Sequence, residues 1–146
     1  MAIGLRKSIV NQILRAFEYI HSKNRLHRDI SPKNILIKKY HDIHVVKIAD
    51  FGLVKVPNSS LTTVSTEFKG YFNDPSLVVD GFDTYSILHE TYALTRIVYF
   101  VMTGKTNTEA IPNSKLRDFV NKGLHPDKSM RFKTTTEMVQ VLRTIP

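Results

Sequence analysis

The sequence predicts a mainly helical fold that carries one small β-hairpin. Three observations predict it: apolar residues recur every three or four positions in several segments, two short apolar runs flank a polar turn, and the composition is that of an ordinary globular protein. The chain has 146 residues, of which 42% are hydrophobic and 23% are charged. A chain of this length fits one domain with a sizeable core, so we expect residues 1–146 to form a single domain.

The first predicted element is an amphipathic helix over residues 5–21. Its apolar side chains lie three or four positions apart, which places them on one helix face, while Arg15 and Glu18 fall on the solvent side. The apolar set is Ile9, Ile13, Leu14, Phe17 and Ile20. A polar stretch that contains one proline, residues 27–34, follows the helix.

The hairpin is predicted from two short runs, residues 35–37 and residues 45–48, on either side of a polar turn at residues 39–44. A strongly apolar helical pattern then runs from about residue 84 to residue 103. It ends at Gly104, and glycine commonly caps helix C-termini.

The last part of the chain is predicted to form a connection followed by two helices. Residues 105–113 are polar and form the connection. The helices are predicted near residues 115–122 and residues 134–144. Thr134 begins the second of them, and Glu137 three residues later completes the pattern of a capping box.

Composition excludes several classes of protein. The absence of cysteine excludes a disulfide framework, a zinc–thiolate site and a thiol nucleophile. No signal peptide is visible, and the longest apolar run, residues 97–102, is too short to span a membrane, so we expect a cytoplasmic protein with no membrane partner. The net charge of +8 favours anionic partners or a solvated basic surface. Because no basic face interleaved with aromatic residues is present, the pattern argues against nucleic acid.

The residues that carry chemistry are concentrated in residues 27–34, which read His-Arg-Asp-Ile-Ser-Pro-Lys-Asn. At the end of the second β segment, 21 residues after Asp29, Asp50 begins the triplet Asp-Phe-Gly. Eight specified residues in fixed order have a chance on the order of one in 10^10 per window at average composition. This set resembles the C-terminal lobe of a protein kinase, with the preceding helix and the hairpin where that family has them.

The resemblance covers nearly all of the chain, but only one lobe of a kinase domain. The matching segments are residues 17–22 (the helix end before the catalytic loop), residues 70–75 (the end of an activation segment) and residues 125–131 (the segment ending in a family arginine). Glu90, fourteen residues before Gly104, stands where kinases carry an aspartate that hydrogen-bonds to the catalytic-loop backbone. Residues 83–86 copy the family's tetrapeptide around that aspartate, but too early in the chain, so the spacing favours Glu90 over Asp83.

The resemblance implies transfer of phosphate from ATP, with Mg²⁺, to a protein hydroxyl, on serine or threonine rather than tyrosine. Asp29 would accept the proton of the attacking hydroxyl, and Lys33 would contact the transferred phosphate. Asn34 and Asp50 would bind Mg²⁺ through an amide oxygen and a carboxylate oxygen, which are the hard ligands that this ion prefers.

Further roles follow from the same resemblance. Leu36, Ala49 and Asp50 would bind the nucleotide, with Leu36 under the adenine. Arg28 and Lys55 would face a phosphorylated residue of the activation loop, because two cations can pair with the nearly double charge of a phosphate. The candidate phosphorylation sites are Thr62, Thr63, Ser65 and Thr66. They lie in residues 58–66, where six of nine residues are serine or threonine and a loop is predicted.

The sequence departs from the family pattern at several positions. Ser31 replaces a lysine that contacts the γ-phosphate in Ser/Thr kinases, and Lys33 is able to take this place. Ser76 replaces the glutamate that pairs with the family arginine, Arg131, and Asp74 is able to serve instead. The region between Gly104 and the next helix is also too short for the segment that many kinases use for docking.

The sequence does not match the elements of the other kinase lobe, which are a glycine-rich loop, a lysine on a strand and a glutamate on a helix. We therefore expect either a fragment of a longer kinase, a solitary lobe, or a lobe that another chain or self-association completes across an apolar face around Leu26, Leu36 and Phe51. In each case we expect little activity from these residues alone. The alternative is a kinase-derived binding or scaffold module without catalysis. The presence of Asp29, Asn34 and Asp50 together favours the enzyme, because a scaffold does not need all three.

Overall fold

Five α-helices and one β-hairpin make up the part of the chain that a computed structural model describes, residues 2–49 and 72–146. The helices are α1 (Ile3–Ser22), α2 (Ser76–Asp80), α3 (Ile87–Thr103), α4 (Ser114–Gly123) and α5 (Thr135–Leu142), and the strands are β1 (Ile35–Tyr40) and β2 (Ile43–Ile48). Short 3₁₀ turns form at Pro32–Asn34, Phe82–Thr84 and Lys128–Met130. The predicted fold class, mainly helical with a small hairpin, is confirmed.

Helix α1 contacts three other elements: β2, α3 and α5. Of its predicted apolar stripe, Ile9, Ile13, Leu14 and Phe17 are fully buried, whereas Ile20 is only partly buried. Val10, which the stripe did not include, is buried as well. Two basic side chains also join α1 to distant parts of the chain, since Arg6 Nη1 donates to Val101 O and Lys7 Nζ donates to Ile145 O, each at 2.8 Å. Among the described residues, neither α1 nor any other helix is long and apolar enough to cross a membrane.

The hairpin pairs β1 with β2 in antiparallel register from Ile35 opposite Ile48 to Tyr40 opposite Ile43. The predicted polar turn at residues 39–44 is too long, because only two residues lie between the strands and His41 adopts a left-handed φ of 52°. The strands extend beyond the predicted runs because Lys38, Lys39 and Tyr40 pair with Val45, His44 and Ile43.

The outer edge of β2 is hydrogen-bonded to a side chain of α1. Gln12 Nε2 donates to His44 O at 2.8 Å, and Val46 N donates to Gln12 Oε1 at 3.0 Å. The primary amide of Gln12 thus satisfies one backbone acceptor and one backbone donor that β1 does not pair.

Helix α3 is buried along most of its length and forms the centre of the core together with α1. It begins at Ile87, three residues later than predicted, because residues 82–84 form a 3₁₀ turn and Ser86 caps the helix by accepting a hydrogen bond from Leu88 N. The predicted C-cap is confirmed: Gly104 has a left-handed φ of 71°, which glycine adopts without steric cost.

The two C-terminal helices begin at side-chain caps. Asn113 accepts from Leu116 N at the start of α4, and Thr134 accepts from Glu137 N at the start of α5. The predicted capping box at α5 is half-formed, because the Glu137 carboxylate accepts from Lys133 N, one residue before the cap, at 3.3 Å. An N-terminal threonine cap alone accounts for about 1 kcal/mol of helix stability.

Gly123, at the end of α4, packs directly against Thr95 of α3. A Cβ atom added there would lie 1.9 Å from Thr95 Oγ1, a buried hydroxyl on α3. We expect Gly123→Ala to lower the free energy of unfolding by about 1–3 kcal/mol through overpacking. Gly4→Ala on α1, where nothing lies within 4 Å of the added atom, is the matched control and is expected to be neutral or slightly stabilising. Urea denaturation measures both, and equal stabilities of the two variants would contradict the close approach.

Candidate active site

The polar stretch at residues 27–34 connects α1 to β1 and is held at its start by a buried histidine. His27 Nε2 lies 2.6 Å from Ala49 O, at the end of β2, and Asp29 N donates to His27 Nδ1 at 3.1 Å. Since Nδ1 accepts, the proton of the neutral imidazole is on Nε2, where it donates to the Ala49 carbonyl. The ring also packs against Phe17 of α1, with centroids 5.8 Å apart. One side chain thus joins the stretch to both α1 and β2.

Asp29 and Asn34, at the middle and the end of the stretch, are buried. Asn34 Nδ2 donates to Asp29 O at 2.7 Å, which closes the segment on itself. Asn34 Oδ1 is buried and accepts no hydrogen bond from the described residues. A buried amide oxygen without a donor is energetically costly unless a further group binds it, and an oxygen of this kind fits a Mg²⁺ ligand.

The backbone of the stretch is hydrogen-bonded to a carboxylate in the first turn of α3. Glu90 Oε1 accepts from His27 N at 2.6 Å, and Glu90 Oε2 accepts from Arg28 N at 3.1 Å. Glu90 is completely buried, whereas Asp83 is exposed. The sequence-based choice of Glu90 over Asp83 is therefore confirmed.

The backbone of Arg28 is left-handed, with φ of 70°, and its side chain is exposed. For a residue other than glycine this conformation costs about 1–2 kcal/mol. The hydrogen bond from its amide to the Glu90 carboxylate offsets this cost, because hydrogen bonds to charged groups contribute about 1.5–3 kcal/mol. Glu90 thus stabilises a strained turn immediately before Asp29.

Two further donors reach the same carboxylate. His21 Nε2, at the end of α1, lies 3.1 Å from Glu90 Oε1, and the hydroxyl of Tyr85 donates to Glu90 Oε2. His21 Nδ1 is also 2.6 Å from Thr135 Oγ1 at the start of α5. Neither the role of Tyr85 nor that of His21 was predicted, because the spacing of residues along the sequence does not indicate that these two side chains turn toward Glu90.

Burial and hydrogen bonding act in opposite directions on this cluster. Burial tends to raise the pKa of Glu90, but the hydrogen bonds from His21, Tyr85 and the two backbone amides outweigh it and lower that pKa. Burial and the negative charge of Glu90 raise the pKa of Tyr85 well above its usual range. At neutral pH the carboxylate is therefore ionised, and the phenol remains a donor.

A buried ion pair joins Arg131 to Asp74. Arg131 Nη1 donates to Asp74 Oδ2 at 2.5 Å, and Arg131 Nε donates to His125 O at 2.7 Å. The guanidinium also lies over the Tyr92 ring, 4.7 Å from its centroid. The expectation that Asp74 serves as the partner of Arg131 is thus confirmed. Burial tends to raise the pKa of Asp74, but the hydrogen bonds from Arg131 and Ser76 lower it overall.

The remaining predicted residues fall into two groups. Lys33 and Leu36 are exposed, with 52% of Leu36 accessible, while Ala49 is half-buried and donates its N–H to Asn34 O at 2.8 Å. The others lie outside the described residues; they are Asp50, Phe51, Lys55, Thr62, Thr63, Ser65 and Thr66, together with the predicted loop at residues 58–66. The structure thus brings together Asp29, Asn34 and the end of β2, beside which Asp50 follows in sequence.

The chain matches the protein kinase domain over residues 2–142. It therefore belongs to the protein kinase family. The mainly helical fold with one hairpin, and the residues 27–34 that the resemblance singled out, agree with this membership.

The chain is similar to a mitogen-activated protein kinase and to Ser/Thr protein kinases. It is 39% identical over 98 residues to mitogen-activated protein kinase 7 of Oryza sativa, which covers 64% of this chain and 17% of that protein. It is 31% identical over 138 residues to serine/threonine-protein kinase RAD53 of Saccharomyces cerevisiae, and the aligned residues cover 86% of this chain and 16% of that protein. It is also 31% identical over 105 residues to the probable serine/threonine-protein kinase glkA of Dictyostelium discoideum, where the aligned residues cover 72% of this chain and 21% of that protein. The chain thus spans between 16% and 21% of the lengths of these three relatives.

Proposed function

We propose that this chain is the catalytic-loop part of an ATP- and Mg²⁺-dependent protein kinase that transfers phosphate to serine or threonine hydroxyls of a protein substrate. The observation that carries the proposal is the buried Oδ1 atom of Asn34, which accepts no hydrogen bond from the described residues and lies in the segment that Glu90 holds. Family membership and the names of the similar Ser/Thr kinases support it.

Asn34 and Asp50 would hold Mg²⁺. The ion supplies charge neutralisation to the nucleotide phosphates, which is the main electrostatic requirement of phosphoryl transfer. The amide of Asn34 fits this role because its Nδ2 group is already bonded to Asp29 O, so its oxygen is the atom left to bind a cation.

Asp29 would act on the acceptor hydroxyl. The hydroxyl oxygen forms a new bond to the γ-phosphorus, the bond from that phosphorus to the bridging oxygen breaks and leaves ADP, and the hydroxyl proton passes to the Asp29 carboxylate. The backbone around Asp29 is fixed on both sides, by the Arg28 amide on Glu90 and by its own carbonyl on Asn34. Such fixation is what a reaction that depends on positioning needs.

We also propose that these 146 residues transfer phosphate slowly when they act alone. The six glycines are dispersed along the sequence and form no glycine-rich loop that would cover a triphosphate. Loss of one preorganised donor costs other enzymes about 3–4 kcal/mol in the transition state, and a phosphate loop supplies several. Binding is therefore a better test of the site than turnover.

The test is a titration of the purified chain with ATP, in the presence of Mg²⁺ and in the presence of EDTA. We expect tighter binding with Mg²⁺ for the wild type, and loss of the Mg²⁺-dependent part in Asp50→Ala and Asn34→Ala, because each variant removes an oxygen ligand. Asp42→Ala is the control for the general effect of a lost carboxylate, since Asp42 is exposed in the turn of the hairpin and its loss is expected to keep the Mg²⁺ dependence.

Relaxation by Mn²⁺ in NMR spectra locates the cation directly. The side-chain amide of Asn34 should broaden first in the wild type and not in Asp50→Ala. Equal ATP binding in all variants and conditions, or broadening that does not involve Asn34, would overturn the assignment of Asn34 and Asp50 as metal ligands.

The second candidate is a non-catalytic, kinase-derived binding module. The exposed apolar side chains of the hairpin favour a binding module. Single exposed apolar residues are common on protein surfaces, but four on one hairpin are typical of a surface that binds a partner. They are Leu36, Ile37, Tyr40 and Ile43. The same titration separates the two functions, since a scaffold requires no Mg²⁺-dependent binding of ATP.

A further inference from the structure

Within residues 2–49 and 72–146, the carboxylate of Glu90 receives hydrogen bonds from three parts of the chain, and only one of these donors, Tyr85, lies outside the polar stretch and α1. Its hydroxyl donates to Oε2, the same oxygen that accepts the Arg28 amide. Both side chains are buried, so water does not compete for the carboxylate.

The direction of the Tyr85 hydroxyl is fixed by ring packing. The phenol ring stacks on His89 with centroids 5.4 Å apart and an angle of 25° between planes, and on Phe82 with 5.3 Å and 23°. His89 is itself fixed, because its Nδ1 atom accepts from Ser86 N in the cap of α3. The hydroxyl therefore has little freedom to turn away from Glu90.

A glutamate at this position needs such a restraint more than an aspartate would. Glutamate has one more rotatable bond between backbone and carboxylate, and its terminal torsion is soft, so its two oxygens are less well fixed by the helix that carries them. On Oε1 the His27 amide and His21 both donate, whereas on Oε2 the Arg28 amide would be alone without Tyr85.

We infer that Tyr85 is a positioning residue: its hydroxyl fixes Glu90 Oε2, and through it the left-handed backbone of Arg28 that directs Asp29. Its importance for catalysis rests on the proposed function, whereas its effect on the Arg28 backbone does not. Tyr85 is required because this chain has the longer glutamate where the resemblance places an aspartate.

Tyr85→Phe tests the inference in the full chain without nucleotide, by amide hydrogen exchange and NMR chemical shifts. We expect the Arg28 amide to exchange about tenfold faster and its proton resonance to move upfield, because the acceptor oxygen becomes mobile. Amides in the middle of α3 should exchange as in the wild type once the change in global stability is taken into account.

Tyr99→Phe is the matched control. Tyr99 is a second buried tyrosine, located on α3, and its hydroxyl donates to Asn107 O on the connection after that helix. Removing that hydroxyl should leave the Arg28 amide unchanged. A second measurement uses the wild type alone: the hydroxyl proton of Tyr85 should give a downfield resonance that exchanges slowly with water, as a proton shared with a buried carboxylate does.

The inference is overturned if Tyr85→Phe leaves the exchange and shift of the Arg28 amide as in the wild type, or if it changes all amides of the core uniformly. Absence of the downfield resonance in the wild type would also overturn it. A chain that responds as expected but binds no ATP with Mg²⁺ would retract the proposed function and still support Tyr85 as the residue that positions Arg28.

Discussion

Replacement of Glu90 by leucine is expected to lower the free energy of unfolding by about 4 kcal/mol, because it leaves the amides of His27 and Arg28 and the hydroxyl of Tyr85 without their acceptor. Each buried donor left unsatisfied costs about 1–3 kcal/mol, and the effects of neighbouring groups are not fully additive. Since the whole chain is expected to be stable by about 5–15 kcal/mol, this is a large fraction of the total. Urea denaturation followed by circular dichroism measures the change.

The control for this prediction is Glu109→Leu, which also replaces a glutamate by leucine but at an exposed position on the connection after α3. It should change the free energy of unfolding by less than about 0.5 kcal/mol. If the two variants lose similar amounts, the hydrogen bonds to Glu90 are not a major source of stability.

Replacement of Arg131 by methionine is expected to cost about 3–5 kcal/mol, because it leaves the buried carboxylate of Asp74 without its charged partner. The variant also loses the contact of the guanidinium with the Tyr92 ring. The double variant Asp74→Asn with Arg131→Met should recover much of the loss, since replacing both members of a buried ion pair is often nearly neutral. A double variant that is less stable than Arg131→Met would show that the buried charge is not the cause.

The loss of stability in Arg131→Met is expected to depend on pH in a definite direction. In the wild type the pKa of Asp74 is lowered from the value of 3.8 that it has in the unfolded chain. The ionised carboxylate therefore contributes its full stability above pH 3.8, and this stability is lost as the pH falls through the lower pKa of the folded chain. Arg131→Met removes the hydrogen bond and the positive charge that lower the pKa of Asp74, whereas burial, which raises this pKa, is kept. The deficit of the variant should therefore be largest at neutral pH and shrink as the pH falls and the carboxyl becomes neutral. A deficit independent of pH would contradict the role of the charge.

Periodicity and caps predicted the elements well where side-chain pattern and burial agree. The stripe from Ile9 to Phe17 marked α1, and Gly104 marked the end of α3. The start of α3 and the length of the hairpin turn were less predictable. The helix was predicted from about residue 84, but residues 82–84 form a 3₁₀ turn. Lys39 and His44 are polar and were assigned to the turn, but they pair with each other as strand residues.

The site could be predicted where a role depends on spacing. Glu90 was placed by its distance from Gly104, and Asp74 by its position beside Pro75, and both make the expected contacts. Tyr85 could not be predicted, because its role depends on how the ring packs between Phe82 and His89. The assignment of Asn34 as a metal ligand stays a prediction until the binding experiments are done.

The hydrogen bonds of Gln12 have a consequence for solubility. A two-stranded hairpin has two open edges, and an open edge is a template on which another chain can add a strand and begin aggregation. On the β2 side, the Gln12 amide occupies the backbone groups of His44 and Val46 that an incoming strand would use. On the β1 side, Lys38 and Lys39 are exposed, and charged lysines on an edge disfavour such pairing. The hairpin is thus protected against intermolecular strand addition by a different device on each edge, while its apolar side chains stay accessible.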